Sequence, residues 1–295
     1  MRYAAIDIGS NAVRLLIADI IENNGSISFK KNTLIRVPLR LGDDAFLDHE
    51  LSDRKSADLV KTMLAFHNLM EVYKVTDYTA YATSAMREAK NGEQVVKLIK
   101  ENANVDMEII QGQKEARIIY ASHIEQNIDK NKNYLYIDVG GGSTELSLFS
   151  AGELWASRSF NIGTIRMLDN QDTEETWTEM KDFIRENTRQ FKIISGIGTG
   201  GNINKLYKLS EEKDGAPLSF GKLKSLYNYL NSFSLKDRIN VLGLNQDRAD
   251  VIIPACEIYL TVMKCANIKH IYVPTVGLVD GIIQTLIEKN FPKAY

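Results

Sequence analysis

Two segments of the sequence combine residue types that could bind a phosphate group and a metal ion. Residues 7–11 read Asp-Ile-Gly-Ser-Asn, and residues 138–144 read Asp-Val-Gly-Gly-Gly-Ser-Thr. A glycine-rich turn after a buried strand exposes consecutive backbone N–H groups, which form a concavity that binds anions. The aspartate at the end of the strand places a carboxylate beside that anion, and Mg²⁺ prefers oxygen ligands of this kind. Both segments therefore indicate phosphate chemistry.

The repetition of the loop matters more than either copy. A strand, a glycine turn and a second strand also make an ordinary hairpin, so one copy alone would be weak evidence. Two copies in matching context favour one phosphate loop in each half of the chain. Neither copy is a P-loop or a Rossmann fingerprint, since the Walker lysine is absent and a strand follows each loop. A third glycine cluster, at 196–202, predicts a tight turn, a further wall of the ligand pocket at a helix N-terminus, or both.

The elements that must position these loops repeat in the same order. After each loop come a strand, a turn and a third strand, and the apolar pattern then changes from alternation to helical spacing. The predicted strands lie at 13–20, 34–38, 78–82 and 107–110, and at 145–150, 154–161, 192–197 and 270–276. The first predicted helix begins after the N-cap Ser52. The others lie at 93–102, 114–127, 173–190, 201–209, 246–266 and 278–288.

This order predicts an α/β protein of two tandem ribonuclease H-like domains, of the actin/hexokinase type, with a cleft between them. Residues 1–127 form the predicted N-terminal domain and residues 128–295 the C-terminal domain, with a final helix that is able to pack back on the first. The polar stretch 127–133 is the expected linker.

Composition narrows the class of protein. The formal net charge of −2 argues against a general nucleic-acid binder, which would carry a basic excess. No apolar run is long enough to span a bilayer, and the start of the sequence lacks the pattern of a signal peptide. Two cysteines and four histidines without ligand-like spacing predict neither a disulfide framework nor a zinc site. A cytoplasmic location without a membrane partner is expected.

Taken together, the motifs resemble the exopolyphosphatase/guanosine pentaphosphate phosphohydrolase family of the actin-like superfamily, in its short, two-domain form. Both phosphate loops match, as do the block Thr83 to Ala89 and the segment Gly112 to Arg117. The resemblance implies a hydrolase of phosphoanhydride bonds that releases terminal phosphate from inorganic polyphosphate, guanosine pentaphosphate or both. It also implies Mg²⁺ or another divalent cation as cofactor, and a homodimer.

The resemblance assigns roles to particular residues. Glu115 lies where the family places the carboxylate that activates the attacking water, although a glutamate at a helix start is usually only a favourable dipole partner. Asp138 and Glu145 lie where the family holds Mg²⁺, with Asp7 as a third candidate. The expected phosphate-binding residues are Ser10, Asn11, Arg14, Arg87, Gly141, Gly142, Ser143 and Thr144.

Some residues depart from the family pattern. Val279 stands in the segment Gly277 to Gly281 where a cation is usual, and Asn202 stands where threonine is frequent. Two alternatives to hydrolysis stay open, and the missing cation at position 279 gives weight to the first of them. One is a sensor that binds guanosine polyphosphates with little turnover, and the other is a kinase of the same superfold.

Overall fold

The computed structural model describes residues 1–23, 25–120, 129, 131–274 and 276–292. The chain divides into two compact units, Met1–His123 with Val276–Tyr295, and Ile124–Thr275. The expected boundary and the end of the helix predicted at 114–127 lie largely outside the described residues.

The first unit is built on a sheet with the strand order β3-β2-β1-β4-β5. Its strands are β1 (Arg2–Ile8), β2 (Val13–Asn23), β3 (Ser26–Val37), β4 (Asp77–Ala82) and β5 (Glu108–Ile109). The first three are antiparallel neighbours, while β4 runs parallel to β1 and β5 runs parallel to β4. Central β1 is buried from Tyr3 to Ile8, whereas edge strand β3 alternates between exposed and half-buried residues. The sheet therefore presents the end of its most buried strand to the first loop.

Helices cover this sheet. They are α1 (Leu41–Leu47), α2 (Asp53–Val72), α3 (Ser84–Glu88), α4 (Gly92–Ala103), α5 (Gly112–Tyr120) and the C-terminal helix α13 (Leu278–Asn290). Helix α2 begins after Ser52, whose hydroxyl accepts a hydrogen bond from the backbone N–H of Lys55, as the sequence predicts. Apolar residues of α13 and α5 form one core cluster with β1 and β2. The last helix therefore packs in the first unit.

The second unit repeats the same sheet with one added strand, in the order β10-β11-β9-β6-β7-β8. Its strands are β6 (Asn133–Val139), β7 (Thr144–Ser150), β8 (Glu153–Phe160), β9 (Ser195–Thr199), β10 (Leu218–Ser219) and β11 (His270–Tyr272). Antiparallel β6, β7 and β8 correspond to β1, β2 and β3, and β9 runs parallel to β6 as β4 does to β1. The internal repeat predicted from the two loops is confirmed in the topology.

The helices of the second unit are α6 (Thr164–Leu168), α7 (Glu174–Thr188), α8 (Gly200–Ser210), α9 (Phe220–Asn231), α10 (Leu235–Asn240), α11 (Gln246–Ala249) and α12 (Ile252–Cys265). Helix α12 is the most buried of them and packs against α7, α8, α9 and β6. No helix in the described ranges combines the length and the apolar character needed to cross a membrane.

The prediction of two α/β domains of the actin/hexokinase type is confirmed, and several element predictions were wrong. The single helix predicted at 246–266 is divided into α11 and α12, and at the break Asp250 Oδ1 accepts the backbone N–H of Val251, a side-chain bond that competes with the helical one. Pro254 follows within the first turn of α12, where proline is tolerated. The strand predicted at 192–197 lies at β9, and the strand predicted at 270–276 ends at Tyr272. Helices α9 and α10 were not predicted.

Candidate functional site

The two phosphate loops have the same backbone turn. In the first loop the N–H of Gly9 donates to the carbonyl of Ala12 at 3.2 Å, and in the second the N–H of Gly140 donates to Ser143 at 2.9 Å. Each turn connects the central strand of its sheet to an antiparallel neighbour. The chain therefore builds one local structure twice.

The charged residues flanking the two turns differ in a chemically important way. Asp7 pairs in register with Arg14, and Asp138 pairs in register with Glu145. Residues opposite each other in a sheet project from the same face. In the first loop Arg14 Nη1 forms an ion pair with Oδ2 of Asp7, which is buried. The second loop instead places two carboxylates on one face, and such a pair favours a divalent cation.

Hydroxyl groups hold the carboxylate of Glu145 in place. Its Oε1 accepts a hydrogen bond of 2.6 Å from Ser143 and one of 2.8 Å from Ser159 on β8. The hydroxyl of Thr144 donates to the carbonyl of Ile162 at 2.6 Å, so this side chain braces the loop. Sequence reasoning selected Ser143 and Thr144 as phosphate-binding hydroxyls, and the structure shows both hydroxyls engaged within the protein.

The glycine turn is braced from one side by α6. The carbonyl of Gly140 accepts from the N–H of Thr164, that of Gly141 from Ile165, and that of Gly142 from Nε of Arg166, at 2.8 to 3.1 Å. In a trans peptide the next N–H points away from the carbonyl. The N–H groups of residues 141–143 are therefore directed away from α6, as an anion-binding turn requires.

The third glycine cluster adjoins the second loop. Thr199 pairs in register with Asp138, so Glu145, Asp138 and Thr199 form a row across three neighbouring strands. The hydroxyl of Thr199 is buried and has no hydrogen-bond partner among the described residues. Gly200 has a φ of +87°, and a Cβ there would lie 2.5 Å from Oδ1 of Asp138. The third glycine cluster is therefore a tight turn, and it also contacts Asp138 at the second phosphate loop.

Helix α12 supports this row from beneath. The hydroxyl of Tyr259 donates to the carbonyl of Thr199 at 3.1 Å. Burial, and then the charge of Asp138, raise the pKa of Tyr259 well above its ordinary value, so the phenol keeps its proton. Asn202 donates to the carbonyl of Val139 at 2.9 Å and accepts from Arg248. The asparagine that stands here in place of the family's frequent threonine therefore has a structural role.

In the first unit, Glu115 lies in the first turn of α5, where its backbone N–H donates to the carbonyl of Gln111. The residue is half-buried, and its Oε2 atom is inaccessible to solvent. Arg87 on α3 donates from Nη1 to the carbonyl of Ile110 at 2.8 Å, just before α5 begins. The predicted base and the predicted cation are therefore anchored at the same junction of the fold.

The first loop is tied to the helices around it. The hydroxyl of Ser10 is hydrogen-bonded to that of Ser84, the first residue of α3, at 2.7 Å, and both are buried. The carbonyls of Ser10 and Asn11 accept backbone N–H groups from residues 42 and 40. The bond to Ser84 connects the first loop to the block Thr83 to Ala89, which matches the family pattern.

The segment with the altered family pattern lies at the start of α13. Val279 is buried in the core cluster shared with α5. Asp280 is buried and forms an ion pair of 2.6 Å with Lys31; burial raises the pKa of Asp280, while the ammonium group acts in the opposite direction. Gly281 lies so close to α5 that a Cβ there would be 1.9 Å from the carbonyl oxygen of Ile118. This segment therefore positions α5.

Within the described ranges, no three acidic, histidine or cysteine side chains are grouped as a complete metal ligand set. Of the three predicted ligands, Asp138 and Glu145 form an opposed pair, and Asp7, the third candidate, is in an ion pair with Arg14. Carboxylate oxygens suit Mg²⁺, which commonly takes only one or two protein carboxylates and fills its remaining positions with water and phosphate oxygens. The pair therefore fits a hard divalent cation, and Mg²⁺ stays a prediction.

Several residues of the site escaped sequence reasoning. Ser159 and Tyr259 reach the second loop from elements remote in sequence, and neither belongs to a recognisable motif. Gly163 was missed as well, although a Cβ there would lie 2.4 Å from the carbonyl oxygen of Gly141. Only Thr199 had a local signal, since it belongs to the third glycine cluster.

The chain is similar in sequence to several known proteins. The model of the Ppx/GppA phosphatase family matches residues 21–290. A bifunctional 3-dehydroquinate synthase/phosphatase of Fusobacterium nucleatum is 28% identical over 85% of this chain. A guanosine-5'-triphosphate,3'-diphosphate pyrophosphatase of Aliivibrio fischeri and exopolyphosphatase 1 of Mycobacterium bovis are each 22% identical, over 97% and 96% of the chain. The chain spans 41%, 59% and 87% of the lengths of these three relatives, respectively.

The solved structure of an exopolyphosphatase from Cytophaga hutchinsonii has the same fold. It superposes with a TM-score of 0.83 at 23% identity and covers 98% of both chains. The repeated sheets, the paired loops and the family match over most of the chain agree with the resemblance that the motifs predict. The chain belongs to the Ppx/GppA phosphatase family.

Proposed function

We propose that this protein hydrolyses phosphoanhydride bonds and releases terminal phosphate from inorganic polyphosphate, guanosine pentaphosphate or both. The observation that carries the proposal is the second loop, where N–H groups directed away from α6 adjoin the opposed carboxylates of Asp138 and Glu145. The names of the Aliivibrio and mycobacterial relatives support these two substrates. Phosphoryl transfer depends mainly on positioning and on electrostatic stabilisation, which such a loop supplies.

Glu115 is the proposed general base. Its carboxylate is partly withdrawn from solvent at the start of α5, and a base held in this way can orient a water molecule and accept its proton as the water attacks phosphorus. Arg87 contributes a planar guanidinium that suits two oxygens of one phosphate group. Its hydrogen bond to Ile110 occupies one of five N–H donors.

Asp138 and Glu145 are the proposed ligands of a divalent cation. A cation bound there would neutralise negative charge on the phosphate oxygens. The protein's own contribution is to hold the two carboxylates, through Ser143 and Ser159 on Glu145 and through the close approach of Gly200 to Asp138. The hydroxyl of Thr199, which has no hydrogen-bond partner in the part of the chain that the structure describes, adds a donor beside Asp138.

Substituting alanine for Gly200 tests the cation site. The new Cβ would displace Oδ1 of Asp138, so Mg²⁺ affinity measured by calorimetry is expected to fall roughly tenfold or more, as for other changes that disturb ligand orientation. Gly215→Ala is the matched control, because Gly215 also has a positive φ, of +80°, and open space around it. Equal Mg²⁺ affinity in the two variants would refute the assigned role of Asp138.

The activity itself is tested by phosphate release from short polyphosphate, long polyphosphate and guanosine pentaphosphate in the presence of Mg²⁺ and without any acceptor. We expect release from at least one of them, at a rate that depends on the divalent cation. Phosphate transfer that requires an acceptor would favour the kinase. Tight binding of guanosine pentaphosphate without release from any substrate would favour the sensor.

Position 279, which gave the sensor alternative its weight, contributes to the core of the first unit. That alternative depended on the loss of a cation at position 279, and Val279 is an apolar core residue packed with α5.

The proposal includes a cytoplasmic location and a homodimer. The cysteines Cys256 and Cys265 are both free thiols, as expected in a reducing compartment. The homodimer is supported by the family resemblance alone, and light scattering of the purified chain tests it.

A further inference from the structure

A second concave site lies on the helical side of the second unit. It is a pocket of about 750 Å³ between α7, α9 and α12. Binding sites for small molecules typically enclose about 300–1,000 Å³. None of its lining residues belongs to the phosphate loops or to the glycine cluster that follows β9. The mechanism proposed above does not use it.

Two aromatic side chains form part of its wall. Trp177 on α7 donates from Nε1 to Oδ2 of Asp172 at 2.8 Å, which fixes the orientation of the indole ring. Tyr227 contributes from α9. Both are half-buried, so each presents part of a ring to the pocket. Aromatic rings held in this way can stack on a planar ligand.

Positive charge is concentrated in the same place. Lys181 and Arg185 follow Trp177 at successive turns of α7, and Lys264 faces them from α12. Arg185 forms an exposed ion pair of 3.2 Å with Asp182. The Nζ atom of Lys181 lies 5.9 Å from the centre of the Trp177 ring. The lining residues carry three positive charges and one carboxylate, an excess of two that the Asp182–Arg185 pair partly offsets, so the pocket suits a phosphate-bearing ligand.

The carboxylate in the pocket lining is that of Glu257 on α12, and it can accept hydrogen bonds from a ligand. Its Oε1 accepts a hydrogen bond of 2.8 Å from the hydroxyl of Tyr227, which holds the group in place. A carboxylate has about four acceptor positions, so Oε2 and the second lone pair of Oε1 can accept further donors. Among the common nucleobases only guanine presents two adjacent donors, the N1–H and the 2-amino group, to such a pair of oxygens.

We propose that the pocket between α7, α9 and α12 binds a guanine nucleotide. The base stacks against Trp177 or Tyr227 and donates to Glu257, and the phosphates lie toward Lys181, Arg185 and Lys264. The proposal does not depend on the hydrolytic activity, since it uses none of the residues assigned to hydrolysis.

Tryptophan fluorescence provides a direct test. The chain has two tryptophans, and the other, Trp155 on β8, is 54% exposed, packs against Phe191 and does not line the pocket. In the Trp155→Phe variant of this 295-residue chain, Trp177 is therefore the sole tryptophan reporter. We expect GDP to quench its fluorescence with saturation, and ADP to bind roughly tenfold or more weakly, because adenine offers an acceptor where Glu257 requires a donor. The same titration of the Trp177→Phe variant should leave Trp155 unquenched.

Variants separate this site from the hydrolytic one. Added to Trp155→Phe, Glu257→Gln should remove most of the preference for GDP over ADP. Lys181→Ala should weaken GDP binding roughly tenfold, while Lys192→Ala, at an exposed position outside the pocket, should not. Glu115→Gln should keep the full Trp177 response. No response at millimolar GDP, equal responses to GDP and ADP, or an equal response to pyrophosphate alone would each overturn the proposal.

Discussion

Replacing Glu115 with glutamine is expected to lower the rate of phosphate release by about 10²- to 10⁴-fold, the range that loss of a general base usually produces. Glutamine has nearly the same shape, so it preserves the packing at the start of α5 but cannot accept a proton from water. The loss should appear in kcat for every substrate that the wild-type protein hydrolyses. Binding of the substrate should change little, because the phosphate loops are intact.

Glu108→Gln is the matched control for this variant. Glu108 lies on β5, shortly before α5, and forms an exposed ion pair with Lys114 at 2.6 Å. The same chemical change there removes only a surface pair, which contributes at most about 1 kcal/mol to stability. Unchanged activity of Glu108→Gln together with a strong loss in Glu115→Gln would assign the effect to the base. Undiminished hydrolysis by Glu115→Gln would remove Glu115 from the mechanism.

The sequence could predict what is local. The two glycine turns, their flanking aspartates and the strands on either side are contiguous in the chain, so spacing alone located them. The opposition of Asp138 to Glu145, and of Asp7 to Arg14, then follows from the length of each turn. The N-cap at Ser52 was readable for the same reason.

The rest of the site depends on tertiary packing. Glu115 stands at an ordinary helix start, and only the family resemblance distinguishes it from a dipole partner. Tyr259 and Ser159 reach the second loop from α12 and β8, and a single sequence contains no sign of those contacts. Val279 was interpreted as a lost cation because its neighbours in α5 could not be known.

Gly281→Ala is expected to reduce both the stability of the first unit and its contribution to catalysis. In an exposed helix interior this change would stabilise the helix by about 1 kcal/mol. Here the new Cβ would lie 1.9 Å from the carbonyl oxygen of Ile118 and 2.6 Å from its carbon, so the backbones of α13 and α5 must separate. Overpacking of this kind typically costs about 1–3 kcal/mol. Hydrogen exchange of the α5 amides should therefore become faster.

The same separation should displace Glu115, which precedes Ile118 by one turn of α5. A misplacement of about 1 Å can cost on the order of 10²-fold in rate, so kcat should fall while KM changes little. Gly277→Ala, at the N-cap of the same helix, meets no atom within 4 Å and should keep both constants near those of the wild type. A Gly281→Ala protein with faster exchange of the α5 amides but full activity would show that α13 does not position the base. A rise in KM at constant kcat would instead mean that α13 acts on substrate binding.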